Sequence, residues 1–166
     1  MRRAIVGLMV LFCVSCSPSG TSPKGKPVTT PDLARTRDFA RGYTAAWCSQ
    51  DAARVASFYA PNGSLQVNDG APAVGREAIT EVAQGFMTAF PDMKVLMDDL
   101  TIKGDEAVYR WTLVGTNTGP GGTGRSVRIG GYEEWRLGAD ALIAASRGHF
   151  DAEDYRRQLE GGEKAK

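Results

Sequence analysis

Ser126-Val127-Arg128-Ile129-Gly130-Gly131-Tyr132-Glu133-Glu134-Trp135-Arg136-Leu137 alternates with a period of two. Val127, Ile129, Gly131, Glu133, Trp135 and Leu137 fall on one face; Arg128, Gly130, Tyr132, Glu134 and Arg136 fall on the other. Successive side chains of a strand point to opposite faces, so the stretch reads as a half-buried β-strand. Glu133 stands out because it is a carboxylate in phase with the apolar set. Burying it uncompensated costs several kcal/mol, so it has to be paired, protonated or functional.

The neighbouring segments read the same way. Val108 to Thr118 puts Tyr109, Trp111 and Leu113 on one face and Arg110 and Thr112 on the other. Met93 to Ile102 alternates loosely, and Leu142 to Phe150 is a last strand. Gly104-Asp105 and Gly138-Ala139-Asp140 supply turns between them, and residues 119–124 form a Gly-rich loop. Upstream, apolar residues recur every three or four positions from Pro31 to Cys48, which predicts an amphipathic helix. Asp51 caps a short second helix ending near Tyr59, and Pro61-Asn62-Gly63 reads as the turn that stops it. Leu65 to Asn68 is a short strand, and a third helix spans Arg76 to Phe90. Asp151 caps a closing helix that contains Tyr155 and Leu159. Helices segregated from a run of antiparallel strands argue α+β, with a long curved sheet packed against its helices around a conical cavity.

Composition narrows the function classes. The 166 residues carry 20 Lys/Arg against 19 Asp/Glu, a net charge of +1, which argues against a polybasic nucleic-acid binder. Single domains run to roughly 100–150 residues, so the length leaves little room for a second one. The lone histidine, His149, excludes a His-rich metal site, and the sequence calls for no cofactor.

The N-terminus carries targeting information. Arg2 and Arg3 precede an apolar run from Ala4 to Val14, too short to span a bilayer but the length of a signal-peptide core. Cys13-Val14-Ser15-Cys16 resembles a bacterial lipobox with Cys16 as the lipidated residue; ordinary cleavage without lipid is the alternative. The expected organisation is a signal peptide over 1–15, a flexible Ser/Pro/Gly/Lys-rich tether over 16–31, a folded domain over 32–160 and a disordered tail over 161–166. Export and anchoring in the cell-envelope membrane through Cys16 follow. Processing leaves Cys48 as the one remaining thiol, so an intradomain disulfide is excluded; it reads as a small buried hydrophobe sooner than a nucleophile.

Taken together, the order of elements, the Ala89-Phe90-Pro91-Asp92-Met93 corner, the Gly115-Thr116-Asn117-Thr118-Gly119 strand end and Thr123-Gly124-Arg125 resemble SnoaL-like proteins of the nuclear transport factor 2-like superfamily. The resemblance covers about Leu33 to Leu159. It implies a cone-shaped α+β barrel wrapped by N-terminal helices, often a homodimer through the outer face of the sheet. The polyketide cyclases of the family close a ring by an aldol step, with an aspartate as acid and base and a histidine as helper. The positions matching them are Glu133 and Asn117, so the carboxylate is kept with one more methylene and the second ionisable group is replaced by an amide.

Tyr43, Trp47, Tyr59, Phe86, Tyr109, Trp111 and Trp135 are candidate ligand-facing aromatics, with core packing as the plainer reading of each. Asn117 is a candidate for the pocket mouth and His149 for its rim. Arg147 is expected to share a face with Ile143, Ala145 and His149 and to pair with Glu133, which would lower the carboxyl pKa. Gly119 to Gly124 spells G-x-G-x-x-G but opens no helix, so it is read as a hairpin able to gate the pocket instead of a dinucleotide site. Two functions stay open: a module that binds a small apolar molecule, and an enzyme in which Glu133 moves protons on a carbonyl-bearing substrate. If Cys16 carries the anchor, Cys16→Ala moves the protein from the membrane fraction to the soluble fraction on cell fractionation; a wild type already soluble contradicts lipidation.

Overall fold

A computed structural model describes residues 32–103 and 106–161. The signal peptide, the tether with Cys16, the Gly104-Asp105 turn and residues 162–166 of the tail lie outside the described residues. The elements run α1 (Leu33–Trp47), α2 (Ala52–Ala56), β1 (Tyr59–Val67), β2 (Ala73–Val74), α3 (Gly75–Ala89), β3 (Lys94–Lys103), β4 (Glu106–Thr116), β5 (Ser126–Leu137), β6 (Ile143–Phe150) and α4 (Ala152–Glu160). One six-stranded sheet has the order β2-β1-β6-β5-β4-β3. Only β1 and β6 run parallel; the other neighbours are antiparallel. The sheet curls without closing, and the helices fill its concave side.

Local chemistry explains the helix starts. Asp32, Asp51 and Asp151 each accept a hydrogen bond from a backbone N–H of the first turn, which satisfies a donor the helix itself leaves unpaired. α1 is tied to β3 where the Cys48 thiol meets the backbone of Val95, accepting from its N–H at 3.2 Å. Cys48 is thus a partly buried packing residue. β6 pairs with β5 only from Gly131 onward. Upstream of that point α4 covers the β5 edge. The Gln158 amide accepts from the Arg128 N–H at 2.7 Å and donates to its carbonyl at 3.0 Å, standing in for a missing strand.

Two expectations are corrected. Pro61-Asn62-Gly63 is not a turn between a helix and a strand; it lies inside β1, which begins at Tyr59. β1 advances from Tyr59 to Ser64 while β6 advances only from Ile143 to Ala145, so the turn-forming residues make a bulge. β6 also departs from the phase its sequence suggests. Leu137 faces Ile143 but Arg136 faces Ala145, so Ala144 is an extra residue. A one-residue slip moves every later side chain to the opposite face. Ile143 is buried, but beyond the bulge Ser146 and Gly148 point inward while Arg147 and His149 point outward.

The core is unusually rich in ring-bearing side chains: Trp135, Tyr43, Tyr59, Tyr109 and Phe90 are all fully buried. Trp111 of β4 needs a bare neighbour. It lies opposite Gly131, where an added Cβ would sit 2.5 Å from Trp111 Cζ2 and 2.5 Å from the His149 carbonyl oxygen. At Gly130 the same atom would lie no closer than 3.8 Å to anything. Gly131→Ala is therefore expected to cost about 1–3 kcal/mol by overpacking. Gly130→Ala should stay within about 0.5 kcal/mol of wild type. Urea denaturation of the two variants checks the contrast.

Candidate functional site

β5 delivers Glu133 to the inside of the cone, as its alternation requires. The side chain is buried, and its two oxygens differ sharply. Oε2 accepts from the Ser146 hydroxyl at 2.6 Å, from the Trp135 indole N–H at 2.8 Å and from the Tyr43 hydroxyl at 3.2 Å. Oε1 has only a 3.4 Å contact with the same Tyr43 hydroxyl. Tyr43 and Tyr59 share a hydrogen bond of 2.9 Å. With Tyr43 donating to Glu133, Tyr59 donates to Tyr43, and the chain of donors runs from β1 through α1 to the carboxyl.

The electrostatics of this clasp oppose each other. Burial disfavours the charged form and raises the Glu133 pKa above its ordinary value; the hydrogen bonds from Ser146, Trp135 and Tyr43 pull it partly back. Burial likewise holds the Tyr43 and Tyr59 phenols well above their usual range, and the neighbouring Glu133 charge adds to it. Both tyrosines are therefore neutral donors.

Arg147 is not the partner of Glu133. The β6 bulge turns it outward, where it meets Glu134 at 3.4 Å and Glu106 at 3.7 Å. His149 also lies on the outer face, stacked on Tyr132 at 4.8 Å between ring centres. No ion pair to Glu133 occurs among the described residues.

Beside Glu133 is a cavity with a free volume of about 60 Å³. Trp47, Phe86, Tyr109 and Trp111 line it, together with Phe150, Gly148 and an apolar wall that includes Leu65, Val95 and Leu113. A water-sized sphere takes roughly 10–15 Å³ by this measure, so the space admits a small molecule or a few waters. Tyr43, Tyr59 and Trp135 lie outside the lining and work one layer deeper. Trp135 stacks on Tyr109 at 4.7 Å and sets its N–H on Glu133.

Asn117 is also outside the lining. Its amide donates to the Ala89 carbonyl at 3.1 Å and accepts from the Thr123 N–H at 2.8 Å. The Gly-rich hairpin is not a gate: Asn117 ties it down, Gly119 presses on the end of α3 so closely that a Cβ there would lie 1.9 Å from the Thr88 carbonyl oxygen, and none of residues 119–124 lines the cavity. Ser146, Gly148 and Phe150 belong to the site although the sequence did not single them out. They were hidden because Ala144 shifts the phase of β6.

Residues 40–146 match the sequence profile of the SnoaL-like domain. The chain belongs to the SnoaL-like family. No curated protein matches it. Among solved structures, this SnoaL-like chain is similar to a candidate SnoaL-like polyketide cyclase from Jannaschia sp. CCS1, at 20% identity and TM-score 0.70 over 81% of this chain and 98% of that one. TsrD from Streptomyces laurentii is 25% identical, with TM-score 0.67 over 78% and 97% of the two chains. A hypothetical protein of ketosteroid isomerase-like fold from Catenulispora acidiphila, solved with trimethylamine, is 16% identical, with TM-score 0.65 over 80% and 95%. These likenesses bear on the fold. Among the described residues no cluster of three or more His, Cys, Asp or Glu is arranged to hold a metal.

The raised carboxyl pKa has a consequence for stability. The folded chain holds this proton more tightly than the unfolded one, so the contribution of Glu133 is full below its ordinary pKa near 4.5 and is lost as the pH rises through the raised folded value. Stability should therefore fall less with rising pH in Glu133→Gln than in wild type. Urea denaturation of both proteins at pH values from about 4 to 8 measures the difference; equal slopes contradict the raised pKa.

Proposed function

We propose that this is an exported, lipid-anchored SnoaL-like domain that binds a small, mostly apolar molecule in its cone, with Glu133 as the polar contact. The observation that carries the reading is the uneven hydrogen bonding of a buried carboxyl that lines an apolar cavity: Oε2 takes three protein donors, while Oε1 has only the long 3.4 Å contact with Tyr43. A carboxyl oxygen has about two lone-pair sites, so Oε1 keeps acceptor capacity that these protein donors do not use. The room beside it is not forced by packing either. A Cβ built on Gly148 would meet the Gln66 carbonyl at 3.5 Å and Glu133 Cγ at 3.6 Å, ordinary contacts that a side chain could make.

A second reading is favoured by the raised pKa. A carboxyl with a raised pKa and one weakly bonded oxygen is suited to take a proton from carbon next to a carbonyl and return it to oxygen. Both readings use the same carboxyl and are separated by one pair of experiments. Cyclohexanone and related cyclic ketones serve as probes, with Trp fluorescence reporting binding and α-carbon deuterium uptake reporting proton transfer. Gly148→Val should weaken binding at least tenfold while leaving the protein folded; unchanged binding contradicts the cavity as the site. Wild-type-dependent deuterium uptake that falls about 10²-fold or more in Glu133→Gln establishes the acid–base role; binding without uptake leaves the binding module.

A further inference from the structure

The polar contact of this cavity has a sign. Glu133 is a carboxyl buried without a cationic side chain: among the described residues, Arg147 is committed to Glu134 and Glu106, and Arg76 donates to the Tyr59 carbonyl at 2.8 Å. Its hydrogen-bond partners are all neutral donors. Five aromatic side chains line the cavity with Glu133: Trp47, Phe86, Tyr109, Trp111 and Phe150. Aromatic rings attract cations through their quadrupoles, and such boxes recognise alkylated ammonium groups. An uncompensated carboxylate inside an aromatic box selects for positive charge, and a free volume near 60 Å³ selects for a small group.

We propose that the cavity takes a small alkylated ammonium ion, its charge set against the Glu133 carboxylate and its alkyl groups against the surrounding rings. The inference rests on the reading of the cavity as a ligand site and names the ligand class. Cation and proton compete for the same carboxylate, so binding strengthens as the pH rises and Glu133 ionises. The other titratable groups around Glu133 are Tyr43 from α1, Tyr59 from β1 and Tyr109 from β4. Burial holds all of these phenols protonated, so they do not add to the pH dependence.

The test compares tetramethylammonium with tert-butyl alcohol, a neutral molecule of similar shape, in NMR titrations of the full chain that follow the indole N–H resonances of Trp47 and Trp111. Tetramethylammonium has no titratable proton, so any pH dependence belongs to the protein. The expected result is at least tenfold tighter binding of the cation at pH 8, a preference that shrinks at pH 5 and disappears in Glu133→Gln. The wild-type pH series stands by itself if the variant fails to fold. Equal binding of the two probes, or a preference insensitive to pH, overturns the cation and leaves the cavity reading intact. Binding of neither probe, with cyclohexanone still bound, also overturns it; loss of all three removes the cavity reading as well.

Discussion

The burial of one carboxyl group organises the interior of this domain. Glu133 stands on β5, its donors come from α1, β5 and β6 through Tyr43, Trp135 and Ser146, and Tyr59 of β1 backs Tyr43. Each hydrogen bond to a charged group contributes about 1.5–3 kcal/mol, and each would leave an unsatisfied buried atom if broken. The clasp therefore couples the register of two strands to the seat of the first helix. Buried polar networks of this kind specify one arrangement when complete and penalise every arrangement that leaves a member unpaired.

The clasp also explains how aromatic packing and an open space coexist. Tyr109 and Trp135 stack, and Tyr43 meets the Trp135 ring edge-on at 5.1 Å between ring centres, which fixes the floor beneath Glu133. Above that floor, Gly131 makes way for Trp111, and Gly148 leaves the wall bare. A methyl at position 148 would meet only ordinary van der Waals neighbours, so backbone geometry does not impose this opening on the core.

How much of this was legible in the sequence follows from what each segment depends on. The inward course of Glu133 could be read from β5 because twelve residues alternate without interruption. The helix starts could be read from Asp32, Asp51 and Asp151, since capping is local chemistry. Of the seven candidate aromatics, Trp47, Phe86, Tyr109 and Trp111 line the cavity while Tyr43, Tyr59 and Trp135 pack one layer deeper, because periodicity separates inward from outward but says nothing of depth. Other features depend on pairing between segments. The Ala144 bulge is a property of the β5–β6 register and carries no residue signature of its own, so periodicity alone points Arg147 and His149 inward and Ser146 and Gly148 outward. Pro61-Asn62-Gly63 does carry a turn signature, but the same residue types serve a bulge, and only the pairing of β1 with β6 distinguishes the two.

The outward turn of Arg147 decides more than its own position. Had β6 kept its phase, a guanidinium would face Glu133 and the carboxyl would be a paired anion with a low pKa. With the bulge, the positive charge is spent on Glu134 and Glu106 at the surface, and the interior keeps an acid whose only partners are neutral. One extra residue in the β5–β6 pairing thus decides whether Glu133 faces a guanidinium or only neutral donors. It does so without altering the sheet order, the helices or the cone that the domain shares with other SnoaL-like proteins. Chemistry on this scaffold is consequently a matter of strand register as much as of residue identity. Aligning a carboxyl with a family's catalytic position says little until the strand beside it has been placed.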